Sequence, residues 1–148
     1  MKTGNEAMDL TTQPPRSPND RLLGMPMLPR TIDKARAFLA GTNGEYIYGE
    51  ESSFDMSVLG FLGLTPEQFL EGIRTSPDDD AMVSWLRSHA RSLTPREIDD
   101  FARVFLNDGD DDADRARFAE RRAKLPVGVQ PRVKGWADLL DVAEGRIT

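Results

Sequence analysis

Apolar residues recur at helical spacing through most of the chain. From Leu28 the segment LPRTIDKARAFLAGTNG places Ile32, Ala35, Phe38 and Leu39 on one side of a helical projection, and Gly41 stands where a left-handed cap would close the helix. Ala37 and Ala40 fall on the side expected to face solvent. Between Pro95 and Leu106, Ile98, Phe101, Ala102 and Phe105 follow the i, i+3, i+4, i+7 rule, and Val104 and Leu106 widen the apolar arc. The segment from Pro77 to Arg91 repeats the spacing in Met82, Trp85, Leu86 and His89, which puts the histidine on the apolar stripe. Three starts share one grammar: Thr65-Pro66-Glu67-Gln68, Ser76-Pro77-Asp78-Asp79 and Thr94-Pro95-Arg96-Glu97. In each, a hydroxyl residue accepts backbone N–H bonds, proline fills a position that needs no N–H, and an acidic or amide side chain sits in the first turn. A weaker start at Ser53 opens FDMSVLGFLG, and helices over about Asp111–Lys124 and Trp136–Ala143 complete the set, the last closed by Gly145.

The pattern predicts an all-α, or nearly all-α, fold: a single compact multi-helix domain of about seven short helices over residues 21–148. The one β-favouring run, EYIYG behind the Asn43-Gly44 turn, could pair with Val127–Val133, which Pro131 interrupts; a minimal two-stranded pairing is the most it allows. Residues 1–20, with TTQPPRSPND and little that is apolar, read as a mobile terminus, and the fold is expected to begin near Leu22. The Leu-Thr-Pro start recurs 29 residues on, but the residues after it keep no common register, so no helical repeat is inferred.

Composition narrows the chemistry. At 148 residues, 39% apolar and 30% charged, the chain can bury a core without staples, which suits its lack of cysteine. Without cysteine there is no thiolate nucleophile or cysteine-based metal site, and one histidine rules out multi-histidine centres. No metal or other cofactor is expected. Residues 49–114 carry 16 acidic and 5 basic side chains within a net charge of −6, an arrangement that repels a phosphate backbone. Nucleic acid is therefore not an expected partner. Nor is a membrane: residues 1–10 hold no apolar signal core, and the apolar-rich run Met56–Leu64 is far short of a span. The cytoplasm is the expected compartment.

Several clusters resolve into structural roles. NDGDDDAD (residues 107–114) resembles a calcium loop until it is aligned on Gly109, which puts the first, third and twelfth ligand positions on Val104, Leu106 and Arg115. Its aspartates are expected to cap the next helix and to pair as Asp112–Arg115 and Asp114–Arg117. The basic run Arg115, Arg117, Arg121, Arg122 and Lys124 suits a helix C-terminus, with Phe118 facing the core. His89 reads as a hydrogen-bonded core histidine, and neither a phosphate-binding glycine loop nor a nucleophile elbow occurs.

The segment from Leu28 to Tyr48 is the candidate site. Arg30, Asp33, Lys34 and Arg36 crowd one helix, and Asn43, Glu45, Tyr46 and Tyr48 follow in the turn behind it. If the helix is covered, Asp33 and Arg36 are close enough to satisfy each other, while Arg30 and Lys34 need an acidic side chain from residues 49–114 or an anionic ligand. An ion-pair network with Glu45, Glu50 or Glu51 competes with the ligand reading.

These residues also carry a resemblance. PPRSP, MLPRTIDKARAFLAGTNGEYIYG, FLGLTPEQFL and WADLLDVAEGR are similar to an uncharacterised bacterial family described only as a domain of unknown function, from about Pro14 to Arg146. The resemblance implies a stand-alone bacterial domain and supplies no activity, cofactor or catalytic residue; NDGDDDAD lies outside its pattern. Two functional expectations follow. The first is a non-enzymatic cytoplasmic helical domain that binds a protein partner or itself. The alternative is a protein, enzymatic or not, that holds an anionic small molecule at Arg30, Asp33, Lys34, Arg36, Asn43, Glu45, Tyr46 and Tyr48, with Glu45 as the nearby general base.

Overall fold

A computed structural model describes residues 8–148. Among them are seven α-helices and one two-stranded antiparallel ribbon, the mostly helical architecture that the periodicity predicts. No helix of the described residues is long and apolar enough to cross a membrane. Contacts gather the described residues into two units, residues 8–16 with 28–93 and residues 17–27 with 94–148.

In the first unit, α1 (Leu28–Ala40), α2 (Ser53–Leu62), α3 (Pro66–Thr75) and α4 (Asp79–His89) pack so that α3 contacts the other three. The centre is filled by Leu28, Ile32, Leu59, Leu62, Phe69 and Met82, all essentially inaccessible. Helix α1 ends as expected: Gly41 has φ 73°, and the Thr42 N–H donates to the Ala37 carbonyl at 2.8 Å. Thr65 caps α3 through a complete capping box with Gln68. At the Ser76-Pro77 start the cap is Asp78, not Ser76; its carboxylate accepts from Ala81 N at 2.9 Å, so the helix begins two residues later than its proline suggests. Gly72 lets α3 and α4 meet, since a Cβ there would lie 2.6 Å from the Trp85 ring.

Four features of this unit differ from the sequence reading. EYIYG is not a strand: Tyr46 N donates to the Asn43 carbonyl at 2.9 Å, and the segment runs as turns between α1 and α2. Ala37 does not face solvent but is completely buried, because α1 is enclosed on all sides from Leu28 to Ala37. His89 is exposed rather than in the core. It closes α4 stacked on Trp85 at 4.3 Å, with Nδ1 2.9 Å from the Trp85 carbonyl. Finally, packing begins well before Leu22. Leu10 is 4% exposed and its N–H donates to the Thr42 carbonyl at 2.8 Å. Residues 1–7 of the expected mobile terminus lie outside the described residues.

The second unit contains the ribbon, β1 (Arg21–Leu22) against β2 (Met25–Pro26), with Leu22 opposite Met25. Leu23 and Gly24 both take positive φ, 55° and 77°, as a two-residue hairpin turn requires. The helices are α5 (Pro95–Leu106), α6 (Asp112–Ala123) and α7 (Trp136–Ala143). Thr94 and Glu97 form the expected capping box on α5. Asp111 caps α6 through Asp114 N, and the pairs Asp112–Arg115 and Asp114–Arg117 form as the spacing predicts. Val127–Val133 takes a turn and a single 3-10 turn (Gln130–Arg132) instead of a strand. Phe118, Val129 and Val133 centre this core, with Leu125, Trp136 and Leu139 against them. The Arg121 and Arg122 guanidiniums lie over the Trp136 and Phe118 rings at 5.2 and 5.6 Å, so the basic run partly roofs its own core. A separate polar knot joins the ends of the unit: Asp141 accepts from Ser17 Oγ at 2.8 Å, Asn19 Nδ2 at 2.9 Å and Arg146 at 3.0 Å.

Candidate functional site

Helix α1 buries four charged side chains within about two turns. Arg30, Asp33, Lys34 and Arg36 are each no more than 8% exposed, which only close pairing can sustain. The pairing is not the one the spacing suggested. Asp33 does not reach Arg36; it is held by Arg16, whose Nε and Nη2 lie 3.0 Å from its two oxygens and whose backbone N–H donates at 2.9 Å. Arg16 also grips Asp79 at the start of α4, with Nη1 2.7 Å from Oδ2. Asp79 in turn accepts from Arg36 Nη1 at 3.3 Å. The result is an alternating chain, Asp33–Arg16–Asp79–Arg36, that ties residue 16 to α1 and α4.

Electrostatics follow this order. Burial works against the Arg16 charge, but the bonds to Asp79 and Asp33 outweigh it and raise the guanidinium's pKa. Burial likewise opposes the Asp79 charge, and Arg16 followed by Arg36 overcomes it, holding that carboxyl below its usual value. The chain ends on a cation, and Arg36 Nη2 is buried with no hydrogen-bond partner among the described residues.

Lys34 finds an acid from the middle of the sequence, as one of its two expected solutions required. That acid is Asp55, not Glu45, Glu50 or Glu51. Lys34 Nζ lies 3.0 Å from both Asp55 oxygens, and the Asp55 side chain is wholly inaccessible. Asp55 occupies the first turn of α2, behind the Ser52 cap, where the helix dipole favours an anion. It also accepts from Gly49 N at 3.1 Å, fastening the loop before α2. Arg30 donates to the Arg16 carbonyl at 3.2 Å and lies over the Tyr46 ring at 5.5 Å.

The remaining sequence candidates follow in the turns between α1 and α2. Asn43 Nδ2 donates to the Tyr46 carbonyl at 3.0 Å and shapes the turn. Glu45 is exposed. Tyr48 sits between Phe38 and Phe69, ring centroids at 5.7 and 6.4 Å, and its hydroxyl donates to the Pro66 carbonyl at 2.8 Å. Burial first, then the Asp55 and Glu67 charges, raise the Tyr48 pKa, so the phenol stays neutral.

Around Tyr48 lies an open cavity of about 260 Å³ that the sequence did not reveal. Its apolar wall is Phe38, Ile47, Pro66 and Leu70, and Glu50, Glu51 and Glu67 stand at its margin. Phe38 is 46% exposed and Ile47 49%. A family model described as a domain of unknown function (DUF5069) matches residues 12–146. The chain belongs to that family. No curated protein matches the sequence. The DUF5069 match spans Arg16, α1 and the groove, yet the family's description assigns none of them a role.

Proposed function

We propose that the protein is a non-enzymatic, cytoplasmic bacterial domain that binds a protein partner, and that the groove around Tyr48 is its recognition face. The observation that carries this reading is the solvent exposure of Phe38 and Ile47 beside a concavity with an acidic margin. The occupant is a peptide segment with a large apolar side chain flanked by lysine or arginine: the apolar group fills the cavity and the cations meet Glu50, Glu51 and Glu67. A second copy of the chain is a poorer occupant. A two-fold interface on this face would bring the same glutamates together. The bacterial origin rests on the resemblance of the LPRTIDKARAFLAGTNGEYIYG block, and the cytoplasmic placement on the short apolar runs of the sequence, of which Met56–Leu64 is far below the length of a span.

The internal pairing supports this reading over an anionic-metabolite site spread across Arg30–Tyr48. Asp33 is spent on Arg16, Lys34 on Asp55 and the Tyr48 hydroxyl on Pro66, so these groups are engaged in holding the fold. The test is a selection from a random peptide-display library on the wild type and on Ile47→Asp. Enrichment of basic residues around one large apolar side chain, lost in the variant, is the expected result. Acidic selected peptides, or peptides retained equally by both proteins, would overturn the proposal.

A further inference from the structure

Helix α2 turns an uncharged face to solvent. Its exposed positions are Ser53, Met56, Ser57 and Gly60, the i, i+3, i+4, i+7 stripe of one helix side, and Phe54 and Phe61 lie half-buried along one flank of it. The one charged residue of α2, Asp55, is wholly buried. In a chain with 30% charged residues, an exposed helix side without a charge is an unpartnered face. Charge stands at the two ends of α2 instead, and with opposite sign. Glu50 and Glu51 are exposed just before the Ser52 cap. At the other end, Arg91 N donates to the Leu62 carbonyl at 3.0 Å and Arg91 Nε to the Phe61 carbonyl at 2.6 Å, and the guanidinium lies over the Phe61 ring at 4.9 Å.

We infer that this face is where two copies of the chain associate, α2 against α2 in antiparallel pairing about a two-fold axis beside Ser57. The register follows from the sequence. With Ser57 next to its own copy, Gly60 lies over Ser53 of the second copy, and these small residues let the two backbones approach closely. Phe54 then meets Phe61 of the second copy on one flank, and Met56 meets its own copy on the other, so the apolar atoms of each helix cover those of its mate. Beyond the helix ends, Glu51 of each copy comes to Arg91 of the other, and the two helix dipoles oppose. A parallel pairing would set Glu51 on Glu51 and Arg91 on Arg91, which charge forbids. Helix α2 contributes no residue to the Tyr48 groove, and Glu50 and Glu67 remain at that margin when Glu51 pairs, so the inference does not depend on the peptide reading. Ten residues rise about 15 Å, a contact well short of the roughly 1,200 Å² of stable complexes, so the dimer is weak, with dissociation near about 0.1 mM.

The test is sedimentation equilibrium of the full chain from about 20 µM to about 1 mM, a range that brackets the expected dissociation constant. A monomer–dimer equilibrium is expected, weakened by added salt. Gly60→Leu adds a side chain where the single copy offers open space, with nothing within 4 Å of a new Cβ, so the monomer should keep its circular dichroism and melting temperature. In the dimer the same side chain separates the two helices, and association should fall by about tenfold or more. Arg91→Glu sets like charges across both ends and should weaken the dimer by a similar factor, while Glu51→Arg in the same chain should restore it. A chain that stays monomeric at the highest concentration, a dimer that Gly60→Leu leaves intact, growth past two copies, or a charge-swapped double variant no tighter than Arg91→Glu alone would overturn the assignment.

Discussion

Replacing Lys34 by methionine probes whether the charged face of α1 is structural. Methionine keeps the length of the stem and removes the ammonium, leaving Asp55 wholly buried with Gly49 N and the Thr31 hydroxyl, 3.4 Å away, as its neighbours in place of the cation. At 3.0 Å the pair is worth about 5 kcal/mol of Coulomb energy at an effective dielectric of about 20. Part of that is offset by desolvation, and breaking one side of such a buried pair costs about 3–5 kcal/mol. That is a large share of the roughly 5–15 kcal/mol available to a domain, so urea unfolding followed by circular dichroism at 10–15 °C, near the usual maximum of stability, is the suitable assay. Asp55→Leu alone should cost a similar amount, because it strands the ammonium. The double variant should be milder than the sum, with a coupling of at least about 2 kcal/mol, since no buried charge is then stranded and what stays broken is the neutral bonding to Gly49, Thr31 and Ser52. If Lys34 were instead held ready for a ligand, its removal would be neutral or stabilising. A loss under about 1 kcal/mol, or strictly additive single costs, would refute the reasoning.

Three further outcomes follow from the same contacts. Gly72→Ala places a methyl 2.6 Å from the Trp85 ring and should cost about 1–3 kcal/mol despite alanine's better helix propensity, a loss that Trp85→Leu in the same chain should reduce in thermal melts. Thr94→Ala removes the side-chain bond to Glu97 N and half of a capping box, and should lower stability by about 1 kcal/mol in urea unfolding. Asp79 has a lowered pKa in the folded state, so its contribution is present above the unfolded carboxyl value and is lost as pH falls through the lower folded one. The stability gap between the wild type and Asp79→Asn should therefore be constant near neutrality and shrink below about pH 4, as read from urea midpoints across pH.

Local rules made much of the helical framework legible. The Thr65 and Thr94 caps, the Gly41 stop and the inward Phe118 depend on residues within one turn of each other, so spacing alone reveals them. Asp78 displaced Ser76 as a cap because two capping side chains lay two residues apart and only the later one reaches a free N–H. The strand expected at EYIYG was lost to tertiary contacts: Tyr48 is drawn between Phe38 and Phe69, and Gly49 is fixed by Asp55, so the run cannot extend. The turn at Leu23-Gly24 was missed because leucine rarely takes positive φ. On α1, spacing suggested that Asp33 and Arg36 satisfy each other and that Lys34 needs an acid from residues 49–114, but it could not name Arg16, Asp55 and Asp79 as the partners that arrive from elsewhere. Arg16 sits among prolines with no periodicity to mark it, and its role rests on contacts with residues 17 and 63 positions away. Phe38 was expected on the buried side. It emerges because α1 leaves its enclosure after Ala37, and with Ile47 it forms the groove that the binding proposal rests on.

The most direct measurement on that proposal is an NMR titration of the wild type with a short peptide bearing one leucine between two pairs of lysines, beside a control with glutamates in place of the lysines. The account predicts saturable shifts at Phe38, Ile47 and Leu70 with the lysine peptide alone, weakened by added salt. Equal responses to both peptides, or shifts that bypass the groove, would contradict it.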